Sequence, residues 1–176
     1  WSFAAPSYSH FASKSELESD APQGRFFAPP ETLSYGPNGQ FRSLARQTYE
    51  HTEGETKLAR LVRYQPSTGA PATRKPLLLV HGLAHSSRVF WTDTIDCNFV
   101  QYFLAQNYDV WILDHRASAN YVRDVTPAHT WDGIALQDVP WAIAKAFAVV
   151  NTGIEEQHQR GIHVFSHCIG AGAVAM

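Results

Sequence analysis

Toward the C-terminal end of the 176-residue chain, Ser166, His167, Cys168, Ile169 and Gly170 follow directly on the apolar run Ile162 to Phe165. A strand that enters a small-x-nucleophile-x-Gly sequence and leaves as a helix must turn sharply. The central side chain is then raised on strained backbone, and its neighbours must be small to clear it. Cys168 is the central residue, Ser166 and Gly170 fill the small positions, and Ala171, Gly172 and Ala173 let a following helix approach closely. A cysteine at a helix N-terminus feels the partial positive charge of unpaired amides, which lowers its pKa and favours the attacking thiolate. The same five residues also suit a small buried side chain at a strand end, because free cysteine is among the most buried residue types. A second signal is His81-Gly82-Leu83, placed directly after the apolar run Leu77 to Val80. A turn in that place can supply one amide of an oxyanion hole, and the residue after the nucleophile the other. The donors are then the N–H groups of Leu83 and Ile169. A His-Gly turn after a strand is common in its own right, so the weight lies in the two signals occurring together.

The elements that must position these residues are legible from periodicity. Residues 1–40 carry Pro6, Pro22, Pro29, Pro30 and Pro37 and aromatics without a period, and read as an irregular arm or linker. Phe41 to Glu50 and Thr56 to Tyr64 have strand length and are joined by Glu53, Gly54 and Glu55 as a hairpin, whose charges suggest a sheet edge. Gln65 to Lys75 is a loop. From Pro76 onward, short apolar runs alternate with helical windows, the pattern of βαβ units. Leu77 to Val80, Tyr108 to Leu113 and Ile162 to Phe165 are expected as buried strands, with a short helix over Phe99 to Gln106. A longer helix starts at Asp138 and Pro140, with Val139, Ile143, Phe147 and Val150 on its inner face, and Gly153 marks its end.

Composition narrows the function. The chain is 44% hydrophobic and 17% charged, with 5 Trp, 7 Tyr and 10 Phe, too apolar and aromatic for a disordered segment. A formal net charge of −2 provides no basic field for phosphates, so nucleic acid is not expected as a partner. No uninterrupted apolar run approaches the ~20 residues that span a bilayer, and no transmembrane segment is expected. No signal peptide is visible, which favours the cytoplasm. The chain opens on Trp1 and stops at Met176 inside a stretch that reads as the start of a helix, as a fragment of a longer polypeptide would.

Four segments carry a resemblance: Leu77 to Leu83 (LLLVHGL), Tyr108 to Arg116 (YDVWILDHR), Gln137 to Ala142 (QDVPWA) and His163 to Gly170 (HVFSHCIG). Together they resemble the N-terminal half of an α/β-hydrolase domain, covering Phe41 to Met176 as a truncated domain. The nearest likeness is to the hydrolase-like module behind cholesterol-oxidase-like glucose-methanol-choline oxidoreductases, whose elbow similarly reads His-Cys-x-Gly. Acid lipases are similar in the YDVW strand and the D-x-P helix start but have serine at the elbow. The resemblance implies an α/β fold, a mostly parallel sheet with an N-terminal antiparallel hairpin, and an esterase- or lipase-like acyl hydrolase or transferase. Its substrate is an apolar small-molecule ester or thioester, or a sterol-like compound. The alternative it implies is a non-catalytic module of a sterol-oxidising flavoenzyme. FAD then enters only through an upstream fusion, and no cofactor belongs to this chain. A fusion or partner domain would complete the sheet.

One departure is large. In this family the triad runs nucleophile, acid, histidine, yet only eight residues follow Cys168 and none of the nine histidines is among them. The 176 residues alone are not expected to turn over, although a cysteine can still be acylated or alkylated without a base. His167 points away from the thiol in a tight elbow, and His81, Gly82, His167 and Trp91 are candidate binding residues. Asp114 and Arg116 read as a structural turn, and His81, His85 and His115 match no zinc spacing, so no metal site is expected. No Gly-rich nucleotide loop occurs. Trp141 and Phe147 fit the helix face as core, Trp91 and Trp131 suit either core or pocket wall, and Cys97 reads as a filler thiol. A sheet that stops after three core strands leaves an open edge, so an isolated chain is expected to be poorly soluble or partner-dependent.

Overall fold

The computed structural model describes residues 25–26, 44–66, 74–92, 94–95, 97–122 and 130–176. The arm therefore lies almost wholly outside the described residues. Strands β2 (Leu44–Glu53) and β3 (Thr56–Pro66) form the expected hairpin, turning through Gly54 at φ 58°. Then come β4 (Lys75–Val80), helices α1 (Arg88–Trp91) and α2 (Phe99–Ala105), and β5 (Tyr108–Asp114). Helices α3 (Trp131–Gly133) and α4 (Val139–Val150), β7 (His163–Ser166) and α5 (Ile169–Ala175) complete the chain. A separate two-residue pairing joins β1 (Arg25–Phe26) to β6 (Tyr121–Val122).

The main sheet has five strands in the order β2-β3-β5-β4-β7. It is mixed, where the sequence suggested mostly parallel: β4 pairs in parallel with β5 and β7, whereas β3 runs antiparallel to both β2 and β5. The hairpin thus docks onto the sheet through β3, and of its two strands only β2 is an edge. That corrects the edge assignment of β3, and its charges show why it can be interior. Arg60 stands opposite Asp114 in the β3/β5 register and meets it at 2.6 Å, and Arg63 meets Asp109 at 2.6 Å. All four side chains are buried as two ion pairs.

Alternation along the strands sorts the core onto two faces. Leu77, Leu79, Val110 and Ile112 pack with Phe90, Val100 and Leu104 from α1 and α2. Leu78, Val80, Trp111 and Leu113 pack with α4 and with Ala173 of α5. Helix α2 begins with a capping box that no apolar pattern shows: Asn98 Oδ1 accepts from Gln101 N–H at 2.9 Å and Gln101 Oε1 from Asn98 N–H at 2.8 Å.

The long helix departs from expectation at its start and on its inner face. Helical backbone starts at Trp131 and passes through a π-helical turn, Ile134–Asp138, before α4. Asp138 is not a cap. Its buried carboxylate holds Arg116, accepting from the backbone N–H at 2.9 Å, Nε at 3.0 Å and Nη2 at 2.9 Å. The wider turn carries this side chain to the end of β5. The inner face is Val139, Ala142, Ala146 and Val150, and Phe147 is 38% exposed, so its placement in the core is corrected. Small residues take that face because the helix lies close over Trp111. Trp131 to Val150 is long and apolar enough to cross a bilayer by length and composition, longer than any run visible in the sequence. Here its apolar stripe faces the sheet.

Candidate functional site

From β4 the chain crosses to β5 on one side through α1 and α2, then returns past β4 to β7 on the other through α3 and α4. The two crossovers pack on opposite sheet faces, so the loops leaving the carboxyl ends of β4 and β7 diverge. Open α/β sheets place their ligands in the crevice at such a switch point. The residues there are His81, Gly82 and Leu83 after β4, and His167 and Cys168 after β7.

Cys168 has φ 55° and ψ −125°, outside the regions that a residue with a side chain adopts at ease. Such backbone costs on the order of 1–3 kcal/mol and persists only where its surroundings over-determine it. Those surroundings are visible. His167 N–H donates to Val80 O at 3.0 Å, extending the β4/β7 pairing by one step, and Gly170 N–H donates to His167 O at 3.0 Å, closing the turn. A Cβ on Gly170 would lie 2.6 Å from His81 O, and one on Gly82 would lie 2.9 Å from Cys168 Cβ. The two turns touch through glycines, and no larger residue fits at either place. The Cys168 side chain is exposed and its thiol free, as is that of Cys97, which is thus not a buried filler. Among the described residues, the N–H groups of Leu83 and Ile169 donate to no protein acceptor.

No family model matches this chain, and no curated protein does. Among solved structures it is similar to a Pyrococcus furiosus esterase, at 17% identity and TM-score 0.40 over 74% of this chain and 44% of that one. A ferulic acid esterase from Anaeromyces mucronatus aligns at 14% identity and TM-score 0.41, over 85% and 59%. The feruloyl esterase module from Clostridium thermocellum, in an S954A mutant complexed with sinapinate, aligns at 15% and 0.39, over 87% and 53%. The chain spans from 44% to 59% of the length of these three proteins.

The other candidate residues distribute unevenly around the crevice. His81 is fully buried, so its side chain is not available to a ligand, correcting its place as a binding residue. His167 is exposed, with its ring edge-on to His85 at 6.0 Å. Trp91 is half-buried and bonded to Ser87 Oγ at 3.4 Å, with the Arg88 guanidinium 5.5 Å above its ring, contacts that do not reach the elbow. Trp131 lies beside α5, where a Cβ on Gly172 would meet its ring at 2.8 Å. A cavity of about 370 Å³ lined by His51, Thr52, Glu53, Leu58 and Gln137 shares no residue with the crevice.

Behind the crevice lies a buried polar cluster whose members the sequence showed without their pairing. Asp114 accepts from Arg60 Nη2 at 2.6 Å, from Ser87 N–H at 2.8 Å and Oγ at 2.7 Å, and from Ser118 Oγ at 2.7 Å. Burial pushes its carboxyl up, but the Arg60 charge and these hydrogen bonds outweigh it and hold the group ionised below the usual carboxylate range. The rings of His81 and His115 stack at 4.0 Å. Burial, and then the neighbouring ring, push His115 down to about 3, and burial also pushes His81 down, so both are neutral at pH 7. The signal for this cluster was the LDHR string itself, which shows charge and imidazole at a strand end but not their partners.

Proposed function

We propose that this chain carries the nucleophile elbow and oxyanion turn of an α/β-hydrolase-type enzyme that transfers acyl groups from apolar esters or thioesters. Cys168 is the nucleophile. The observation that carries the reading is the backbone of Cys168, held at φ 55° between β7 and α5 with its thiol exposed at the sheet's switch point. Strain of this kind has no packing purpose at an exposed side chain. It serves to lift a nucleophile clear of its neighbours.

In the reaction, Cys168 Sγ adds to the acyl carbon and its proton passes to solvent or a base. The carbonyl oxygen gains negative charge, which the Leu83 and Ile169 N–H groups receive. Collapse expels the alcohol or thiol and leaves a thioester on Cys168. Hydrolysis or transfer then needs an acid and a histidine, which the family order places beyond Cys168.

The test separates nucleophile from turnover. The chain is mixed with p-nitrophenyl butyrate, and p-nitrophenolate release is read together with the mass of the peptide containing Cys168. About one equivalent of p-nitrophenolate and a butyryl adduct on that peptide are expected, both lost in Cys168→Ala. An undiminished burst in Cys168→Ala, or an adduct confined to Cys97, would overturn the reading and favour a non-catalytic module.

A further inference from the structure

The peptide unit joining Gly82 to Leu83 is a rigid trans plane, in which the Gly82 carbonyl and the Leu83 N–H point in opposite directions. Whatever holds that carbonyl aims that N–H. The His81 ring does so at the shorter distance, with Nδ1 2.8 Å from Gly82 O, beside the longer contact of His85 N–H at 3.4 Å. A carbonyl only accepts, so Nδ1 carries the proton. The other nitrogen, Nε2, is buried without a hydrogen-bond partner, 3.7 Å from Asp114 Oδ1. Hydrogen bonding therefore fixes the His81 ring at one nitrogen only, and its tilt must come from packing.

His115 supplies that packing, stacked on His81 at 4.0 Å and 29°. It is itself tied at both nitrogens. Ala117 N–H donates to Nδ1 at 3.2 Å, which leaves the proton on Nε2, directed at His81 O at 3.4 Å. That same carbonyl is the nearest atom to the position a Gly170 Cβ would fill, so it also abuts the elbow helix. One buried imidazole thus bears on both turns of the crevice without reaching it.

We propose that His115 is a positioning residue that sets the Leu83 amide for the acyl oxygen, acting through the ring and carbonyl of His81. This rests on the hydrolase reading above and deepens it.

Two reactions of one thiol test it. Acylation by p-nitrophenyl butyrate passes through an oxyanion. Alkylation by iodoacetamide is a direct displacement that expels iodide from a tetrahedral carbon and forms none. Both are followed on the peptide that contains Cys168, in the whole chain. His115→Leu removes the ring and its donor, and should slow acylation by about tenfold or more, less than the loss of a whole donor costs. Alkylation should stay within about twofold, because it depends on thiolate and access alone. His115→Gln, whose amide can donate to His81 O as the imidazole does, should recover most of the acylation rate. An equal loss in both reactions would reveal a merely structural role and overturn the proposal, as would unchanged acylation in His115→Leu. Failure of the hydrolase reading shows elsewhere, in an unsubstituted chain that alkylates but never acylates, and the positioning role falls with it.

Discussion

Acidification should destabilise this protein well above the pH at which its carboxylates protonate. His115 is fully buried, and its pKa falls from the ordinary 6.5 to about 3. A histidine of this kind binds its proton more readily in the unfolded chain. Its contribution is complete above 6.5, declines as pH drops through the interval from 6.5 to 3, and then levels off. At pH 5 the unfolded imidazole is almost wholly charged while the folded one is not. Between pH 7 and pH 5 the linkage amounts to about 2 kcal/mol from His115. His81, pushed down by the same burial, acts in the same direction. Urea unfolding at pH 7 and pH 5 measures the difference, and His115→Gln isolates the residue because an amide does not titrate. The variant should lose about 2 kcal/mol less than the unsubstituted chain across that interval, whatever its stability at pH 7. Identical pH dependence in the two proteins would refute the argument, since it would mean that His115 takes up a proton as easily folded as unfolded.

Other substitutions probe the framework. Asp114→Asn keeps the shape but removes the negative charge that meets Arg60 at 2.6 Å, and should cost about 3 kcal/mol in urea unfolding. Cys168→Gly relaxes the left-handed backbone and should raise stability by about 1 kcal/mol while abolishing acyl trapping, whereas Cys168→Ala abolishes trapping without that gain. Gly170→Ala puts a methyl 2.6 Å from a backbone carbonyl that cannot turn aside, and thermal unfolding should show a loss of about 1–3 kcal/mol. Phe147→Ser, on the exposed side of α4, should change stability by less than about 0.5 kcal/mol, the opposite of what a core assignment predicts.

What was legible in the sequence is what local pattern encodes. The runs LLLV, YDVWIL and IHVF became β4, β5 and β7 to within a residue or two, and the elbow was readable because tight turns constrain residue size. Pairing was not legible. Arg60 and Asp114 lie 54 residues apart, and nothing near either one distinguishes a buried ion pair from a solvated charge, so β3 read as an edge. Pro140 read as a helix start because proline suits the first turn, yet it sits about two turns inside helical backbone that begins at Trp131 and passes through a π-helical segment. Size misled on α4, where large apolar residues were expected inward and close packing over Trp111 selected Ala142 and Ala146. His81 illustrates the limit at the site: its place next to the crevice was readable, but the direction of its ring depends on His115, a residue that follows another strand.

The strand order has a consequence for how the site comes into being. β7 pairs with β4, but β5 and the whole α3–α4 crossover are made between them, and β5 must already be seated on the other side of β4. Closing that long excursion is a non-local event, of the kind that comes slowly and late. The hairpin and the β4/β5 unit can form while the Cys168 turn is still an unconstrained segment, with ordinary dihedrals and an ordinary thiol. The strained conformation is therefore not a local property of five residues but one that the fold imposes when β7 zips onto β4 and presses His167 and Gly170 against the waiting β4 turn. In a growing chain, the thiol takes its final pose only after the hairpin, the β4/β5 unit and the α3–α4 crossover have been placed.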